Sequence, residues 1–226
     1  MTIRLFELCG TDPERVFSPF CWRIRMALAH KGLGFESVPW RFTERDALAF
    51  ARHDKVPVLV DGDRAIGESF DIAKHLDAAY PDAPSLLHGN PEPYAFIGAW
   101  TDTVLHAGIA GLVVSDIPAL LDEADRAYFV QSREARYRKP LAEVTAGREE
   151  RVAGFRAALL PLRHALRGRD FLGGAMPDYA DYTVFGGFMW ARTVSRFELL
   201  AADDAVHAWR ERMLDLFGGM ARKAPR

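Results

Sequence analysis

"VPVLVDGDRAIGES", residues 56–69, is the stretch on which the fold turns. Residues 56–60 form an apolar run of strand length, Asp61-Gly62-Asp63 is a turn, and residues 64–66 make a second short strand. An Asp-Gly pair between two such runs predicts a β-hairpin, because glycine supplies the positive φ that tight hairpin turns need. Pro57 stands out. Proline has no N–H to donate to a ladder, so its place in an apolar run implies an edge, an interruption or a cis peptide. Such a bend leaves the Val56 backbone free to meet something extended. Directly after the hairpin, Glu68-Ser69 opens the helical pattern "SFDIAKHLDAAYP". In it Ile72, Leu76, Ala79 and Tyr80 share one face, and Pro81 stops the helix. Unpaired N–H groups at that helix start favour a carboxylate, Ser69 adds a hydroxyl, and Glu68 can pair with an ammonium group. The same two residues read equally well as a plain helix cap.

Upstream, "IRLFEL" (3–8) is strand-like. The segment "VFSPFCWRIRMALAHKG" (16–32) sets Ser18 and Pro19 before a helix that Gly32 and Gly34 end. On it Cys21, Ile24 and Leu28 share a face, which predicts that Arg23, Arg25 and Lys31 stay solvated. "FESVPW" (35–40) reads as a second strand and "TERDALAFA" (43–51) as a short helix capped by Thr43. The order is βαβαββα. A parallel pair followed by a hairpin predicts a small mixed sheet with helices on its faces. Downstream, "YPDAPSLLHGNPEP" carries four prolines and reads as a linker. Beyond it only helical patterns occur. The division is therefore residues 1–81, a linker over 82–92, and an all-helical domain over 93–226. Its best-marked helix begins in "PDYADYTVFGGFMWARTVS" (177–195), where Asp178 caps and Asp181 reaches back three residues later, as in a capping box.

With 226 residues the chain can bury a sizeable core, and its net charge of −2 gives no electrostatic reason to expect nucleic acid or an anionic membrane. No uninterrupted apolar stretch approaches the roughly 20 residues of a membrane helix. Two cysteines, Cys9 and Cys21, are too few for a disulfide framework, so a reducing, cytoplasmic setting is expected. Arg4 and Glu7 interrupt the apolar start of the chain, which does not read as a signal peptide. No His/Cys cluster has metal-ligand spacing, and no metal is expected.

Ser18 before its helix, the Val56-Pro57 pair and the Glu68-Ser69 pair together describe a receptor for a free amino-acid head group. In this combination the chain resembles the glutathione transferases along essentially its whole length. "FSPFCWRIRMALAHKGL", "VPVLVD", "YADYTVFGGFMWARTVS" and "WRERMLDLFGG" are most similar to the branch containing bacterial β-aryl etherases and related fungal transferases. The resemblance implies a thioredoxin-like N-terminal domain, a helical-bundle C-terminal domain, glutathione as co-substrate and a homodimer. It implies that Ser18 donates a hydrogen bond to the glutathione thiolate, which favours the ionised form. Val56, beside cis-Pro57, would hold the cysteinyl backbone, Glu68 and Ser69 the γ-glutamyl end, and Lys55 the glycyl carboxylate. Asp181 would act in folding. A hydrophobic electrophile, in this branch an aromatic one open to aryl-ether cleavage, would lie between the domains. Tyr94, Phe96, Trp100 and His106 are candidates for its pocket, although aromatic residues on helices more often belong to a core.

Cys21 falls three residues after Ser18. A cysteine at 18 would make a Cys-x-x-Cys motif of dithiol redox chemistry, but the serine removes the first thiol. Cys21 is expected to be buried and inert, and Cys9 structural. A non-catalytic carrier or sensor of aromatic ligands and glutathione is one alternative, against which the intact Ser18 argues. A glutathione-dependent reductase is another, against which the absent cysteine at 18 argues.

Overall fold

The computed structural model describes residues 2–226. Strand β1 (Ile3–Leu8) lies inside a four-stranded sheet of order β2-β1-β3-β4, with β2 at Phe35–Trp40, β3 at Val58–Asp61 and β4 at Arg64–Gly67. β1 and β2 are parallel, while β3 runs antiparallel to both β1 and β4. This is the small mixed sheet that the βαβαββα order predicts, and the thioredoxin-like domain that the resemblance implies. The hairpin turn sits at Gly62, whose φ of 59° is the left-handed value that glycine accommodates. Val56-Pro57 is a cis peptide and lies just outside the ladder, so β3 starts two residues later than the apolar run.

Helix α1 (Pro19–His30) crosses one face of the sheet beside α2 (Ser69–Ala79). Arg23, Arg25 and Lys31 are not solvated. Arg23 and Lys31 are buried, and the three cations pair with Asp102 at 2.5 Å, Glu7 at 2.7 Å and Asp77 at 2.8 Å respectively. A helix pressed between the sheet and a second domain has no free face, so its charges need buried partners. Thr43 also departs from expectation. Residues 45–51 are a 3₁₀ helix without a side-chain cap, and Thr43 instead donates through N and Oγ1 to Asp125 Oδ1, at 3.0 and 2.8 Å.

The helical part comprises α3 (Glu92–Trp100), α4 (His106–Val113), α5 (Glu123–Tyr137), α6 (Leu141–Thr145), α7 (Arg148–Ala158), α8 (Leu160–Ala165), α9 (Tyr179–Val194) and α10 (Ala205–Lys223). A π-helical turn, Thr101–Leu105, joins α3 to α4, and a 3₁₀ segment, Val114–Leu120, follows. By length and hydropathy the run Glu92–Leu120 passes as a membrane span, against the expectation from sequence. Asp102 and Asp116 interrupt it, however, and Leu105, Ile109, Leu112 and Val113 are buried in the hydrophobic core. It is a core helix. α9 carries the expected capping box. Asp181 extends the box into a hub, accepting from the N–H groups of Leu172, Gly173 and Asp178 and from Trp209 Nε1 at 2.8–3.2 Å. α10 is broken at 216–219, where Phe217, Gly218 and Gly219 have positive φ.

Candidate functional site

The site assembles where β1 ends, α1 begins and the cis-proline bend meets α2. β3 pairs Val58 with Phe6 of β1 and with Gly67 of β4. Val56 and Pro57 directly precede β3, and Glu68 directly follows β4. Three pieces of sequence far apart in the chain thus reach one end of the sheet.

Ser18 is the N-cap of α1. It is 4% exposed, and its Oγ accepts the Cys21 N–H at 3.3 Å. Pro19 occupies the first helical turn, where its missing N–H costs nothing. Since the cap uses Ser18 as acceptor, the hydroxyl proton stays available for donation. A helix cap and a hydrogen-bond donor to a ligand therefore fit one side chain. Cys21 is completely buried, and burial, aided by the negative charge of Glu7, pushes its thiol up to about 12. Cys9 is buried as well, its Sγ 3.7 Å from the Trp40 carbonyl oxygen, and burial raises its pKa.

Glu68 precedes α2 with φ 58° and ψ 117°, the left-handed side of the map for a residue with a side chain, and makes no capping hydrogen bond. Such strain clusters at ligand-holding positions. Ser69 is buried at the first position of α2, and the neighbouring Phe70 stacks on Tyr179 at the start of α9, centroids 6.0 Å apart.

Beside Ser18 a cleft of about 560 Å³ opens between the sheet domain and the helices. Ser18, Lys55 and Val56 line it, whereas Pro57, Glu68 and Ser69 do not. Its apolar wall includes Phe17, Phe20, Phe42, Tyr128, Phe129 and Trp190. Of the four aromatic candidates only His106 is present. Tyr94 is buried and donates to Asp178 at 2.9 Å, Phe96 is 75% exposed, and Trp100 stands away from the cleft. The helix itself explains the error: α3 approaches the cleft only at its C-terminal end, where the π turn brings Asp102 and His106 to the wall. Such π turns recur at functional sites.

His106 sits edge-on between Phe20 and Trp190, at 5.5 and 5.9 Å. Burial and the nearby Arg23 push its imidazole down to about 3, so the ring is neutral. Two adjacent glycines of α9 make room for this corner. A Cβ on Gly186 would collide with the Pro19 carbonyl oxygen, and one on Gly187 would lie 3.1 Å from His106 Nε2. Each mid-helix glycine costs about 1 kcal/mol relative to alanine, so "GG" inside an apolar stripe was the signal for close packing at this point. Arg45, Arg133 and Arg136 also reach the cleft. Nothing in their spacing distinguishes them from solvated arginines.

Comparison with known proteins places this geometry. Residues 14–85 match the glutathione S-transferase N-terminal domain, and residues 94–216 match the glutathione S-transferase C-terminal domain. The chain belongs to the glutathione S-transferase family. A glutathione S-transferase-like protein of Aspergillus flavus is 27% identical, with 97% of this chain and 87% of that protein covered. A glutathione transferase from Phanerochaete chrysosporium shares the fold at TM-score 0.84 and 20% identity, covering 94% of this chain and 96% of that one. So does a Ceriporiopsis subvermispora glutathione S-transferase in complex with glutathione, at TM-score 0.84 and 18% identity, covering 96% and 98%. Within the family, this chain presents a serine, not a cysteine, at the start of α1.

Proposed function

We propose that this protein binds glutathione along Lys55, Val56, Pro57, Glu68 and Ser69, stabilises its thiolate with Ser18 and directs it at an electrophile in the adjoining cleft. Residues 1–81 would bind glutathione, and residues 93–226 would supply most of the electrophile pocket. One observation carries the reading: the Ser18 cap lines the same aromatic cleft as Val56 and Lys55. The relative solved with glutathione bound supports the choice of co-substrate.

Glutathione loses its thiol proton to solvent, and the Ser18 hydroxyl together with the positive end of α1 favours the resulting anion. The thiolate then attacks the electrophilic carbon. A carbon–sulfur bond forms as the bond to the leaving group breaks, and the leaving group takes the electron pair. Holding both reactants in one cleft supplies much of the acceleration. An aromatic substrate suits the Phe17, Phe20, Phe42 and Trp190 walls. Cleavage of an aryl ether, with aryloxide displaced from carbon beside a ketone, is the finer reading and rests on the likeness of the quoted segments to the etherase branch. Turnover with glutathione across a panel of activated chloroarenes and aryl ethers tests it. Absence of conjugate with every electrophile, alongside tight glutathione binding, would favour a carrier.

The reductase alternative loses ground on Cys21, whose buried thiol is pushed up to about 12 and has no partner cysteine at 18. Both free, buried cysteines suit the reducing cytoplasm. Family membership supports a homodimer, and Phe50, Phe96 and Val104 are among the exposed apolar side chains that a second copy would cover. Light scattering after gel filtration measures the assembly directly.

A further inference from the structure

Several half-buried cations in this protein are matched by acids, and others bond to backbone carbonyls. Arg25 meets Glu7 at 2.7 Å, Lys31 meets Asp77 at 2.8 Å and Arg163 meets Asp204 at 2.6 Å. Arg133 of α5 is the contrast. Its guanidinium lies 4.8 Å from the Phe129 ring centroid and 5.6 Å from that of Phe42, on the wall of the cleft. Its Nη1 donates to the Ser132 hydroxyl at 3.0 Å and the Tyr128 hydroxyl also lies beside it, but among the described residues it has no carboxylate partner. Burial disfavours its charged form. Arg136, one turn on, and Arg45, which donates to the Tyr128 hydroxyl at 2.7 Å, bring two more positive charges to the same wall. Only Asp54 and Asp102 carry negative charge there, and Asp102 is engaged by Arg23. A guanidinium held between aromatic rings with most of its donors unused is a preorganised receptor for a planar anion.

We propose that the electrophile is an aromatic carboxylate: its ring packs on the Phe42 and Phe129 wall and its carboxylate is bound by Arg133, with Arg45 and Arg136 adding long-range attraction. The proposal rests on the transferase reading above. It accounts for four cationic lining residues of which glutathione binding uses only Lys55. The reaction stays balanced as before, since the carboxylate is a handle and takes no part in bond exchange.

A chlorodinitrobenzoate and its methyl ester test this directly. Each is attacked by the glutathione thiolate at the chlorine-bearing carbon with loss of chloride, and each rate is divided by that compound's uncatalysed rate with glutathione, because the ester activates the ring more strongly than the carboxylate does. The expected result is a kcat/KM for the acid, so divided, at least about tenfold above that for the ester, as one charge-assisted hydrogen bond warrants. Arg133→Gln should lower the acid-to-ester ratio about tenfold, and Arg133→Lys should restore part of it. Equal divided rates for acid and ester, or a ratio untouched by Arg133→Gln, would overturn the proposal while conjugation itself upheld the transferase reading. Calorimetry needs neither catalysis nor a folded variant: the glutathione-saturated protein should bind dinitrobenzoate, which lacks chlorine, more tightly than its methyl ester. Equal or reversed affinities there would also refute the proposal.

Discussion

Arg23, buried in α1 beneath the catalytic candidate Ser18, is held by Asp102 of the helical domain at 2.5 Å. The guanidinium also lies 4.5 Å from the Phe20 ring centroid. One ion pair thus ties the sheet domain to the wall of the cleft. Removing Asp102 strands a buried charge, which is costly, although solvent at the 41%-exposed Asp102 side chain softens the loss. Asp102→Ala is expected to lower unfolding free energy by roughly 1–3 kcal/mol, read from urea denaturation. An unshifted midpoint would mean that the pair contributes nothing.

Ser18→Ala removes a cap acceptor and a thiolate donor together. The lost cap should cost about 1 kcal/mol of stability. Turnover at neutral pH should fall about tenfold or more, with glutathione affinity nearly intact. Titration of thiolate absorbance in the glutathione complex should give a raised thiol pKa. A variant that loses stability but keeps its rate and thiol pKa would leave Ser18 as a cap alone.

Cys21 should behave as an inert core atom. With its thiol pushed up to about 12, it should resist alkylation at mildly alkaline pH in the folded protein and react once the chain unfolds. Cys21→Ser should retain conjugating activity with a loss of about 1–3 kcal/mol of stability, the cost of a buried hydroxyl without a partner. An obligatory mixed disulfide between Cys21 and glutathione, seen by mass spectrometry, would restore the reductase reading.

Glu68→Gln removes the charge proposed to face the γ-glutamyl ammonium, and Ser69→Ala removes one proposed donor to its carboxylate. Each should weaken glutathione binding about tenfold, and the loss should shrink for an analogue without the α-amino and α-carboxylate groups. Glu68→Gly separates strain from contact. Glycine relieves the positive φ, so this variant should melt at a higher temperature while binding glutathione more weakly. Calorimetric titration that finds all three indistinguishable from the parent would reduce the pair to a helix start.

His106 governs an acid limb. Its folded pKa is depressed to about 3, so its contribution to stability is complete above the ordinary value of 6.5. Below that the unfolded chain binds a proton that the folded one refuses. Stability should therefore fall as pH drops from 6.5 toward 3, at no more than about 1.4 kcal/mol per pH unit from this group. His106→Asn should flatten that slope. Nuclear magnetic resonance should find the His106 ring neutral between pH 8 and 5, and a midpoint near 6.5 would exclude the burial argument.

Local chemistry sufficed for much of this protein. Asp-Gly fixed the hairpin because few residues adopt positive φ. Pro57 marked the break in β3 because it has no N–H. Asp178 and Asp181 announced α9 because a helix start leaves its own N–H groups unpaired. Ser18, Val56, Glu68 and Ser69 could be proposed as a set from the sequence because each sits at an element boundary, where backbone groups are free. What the cleft contains was decided elsewhere. Arg23, Arg25 and Lys31 looked solvated because periodicity reports one buried face, and only tertiary packing brought Asp102, Glu7 and Asp77 to them. Tyr94, Phe96 and Trp100 looked like pocket residues because aromatic character is visible in sequence while the direction of a helix face is not. The π turn that aims Asp102 and His106, and the meeting of Arg133 with Phe42 from another domain, depend on contacts between residues some 90 positions apart. Those contacts arise from packing geometry, which no local pattern encodes.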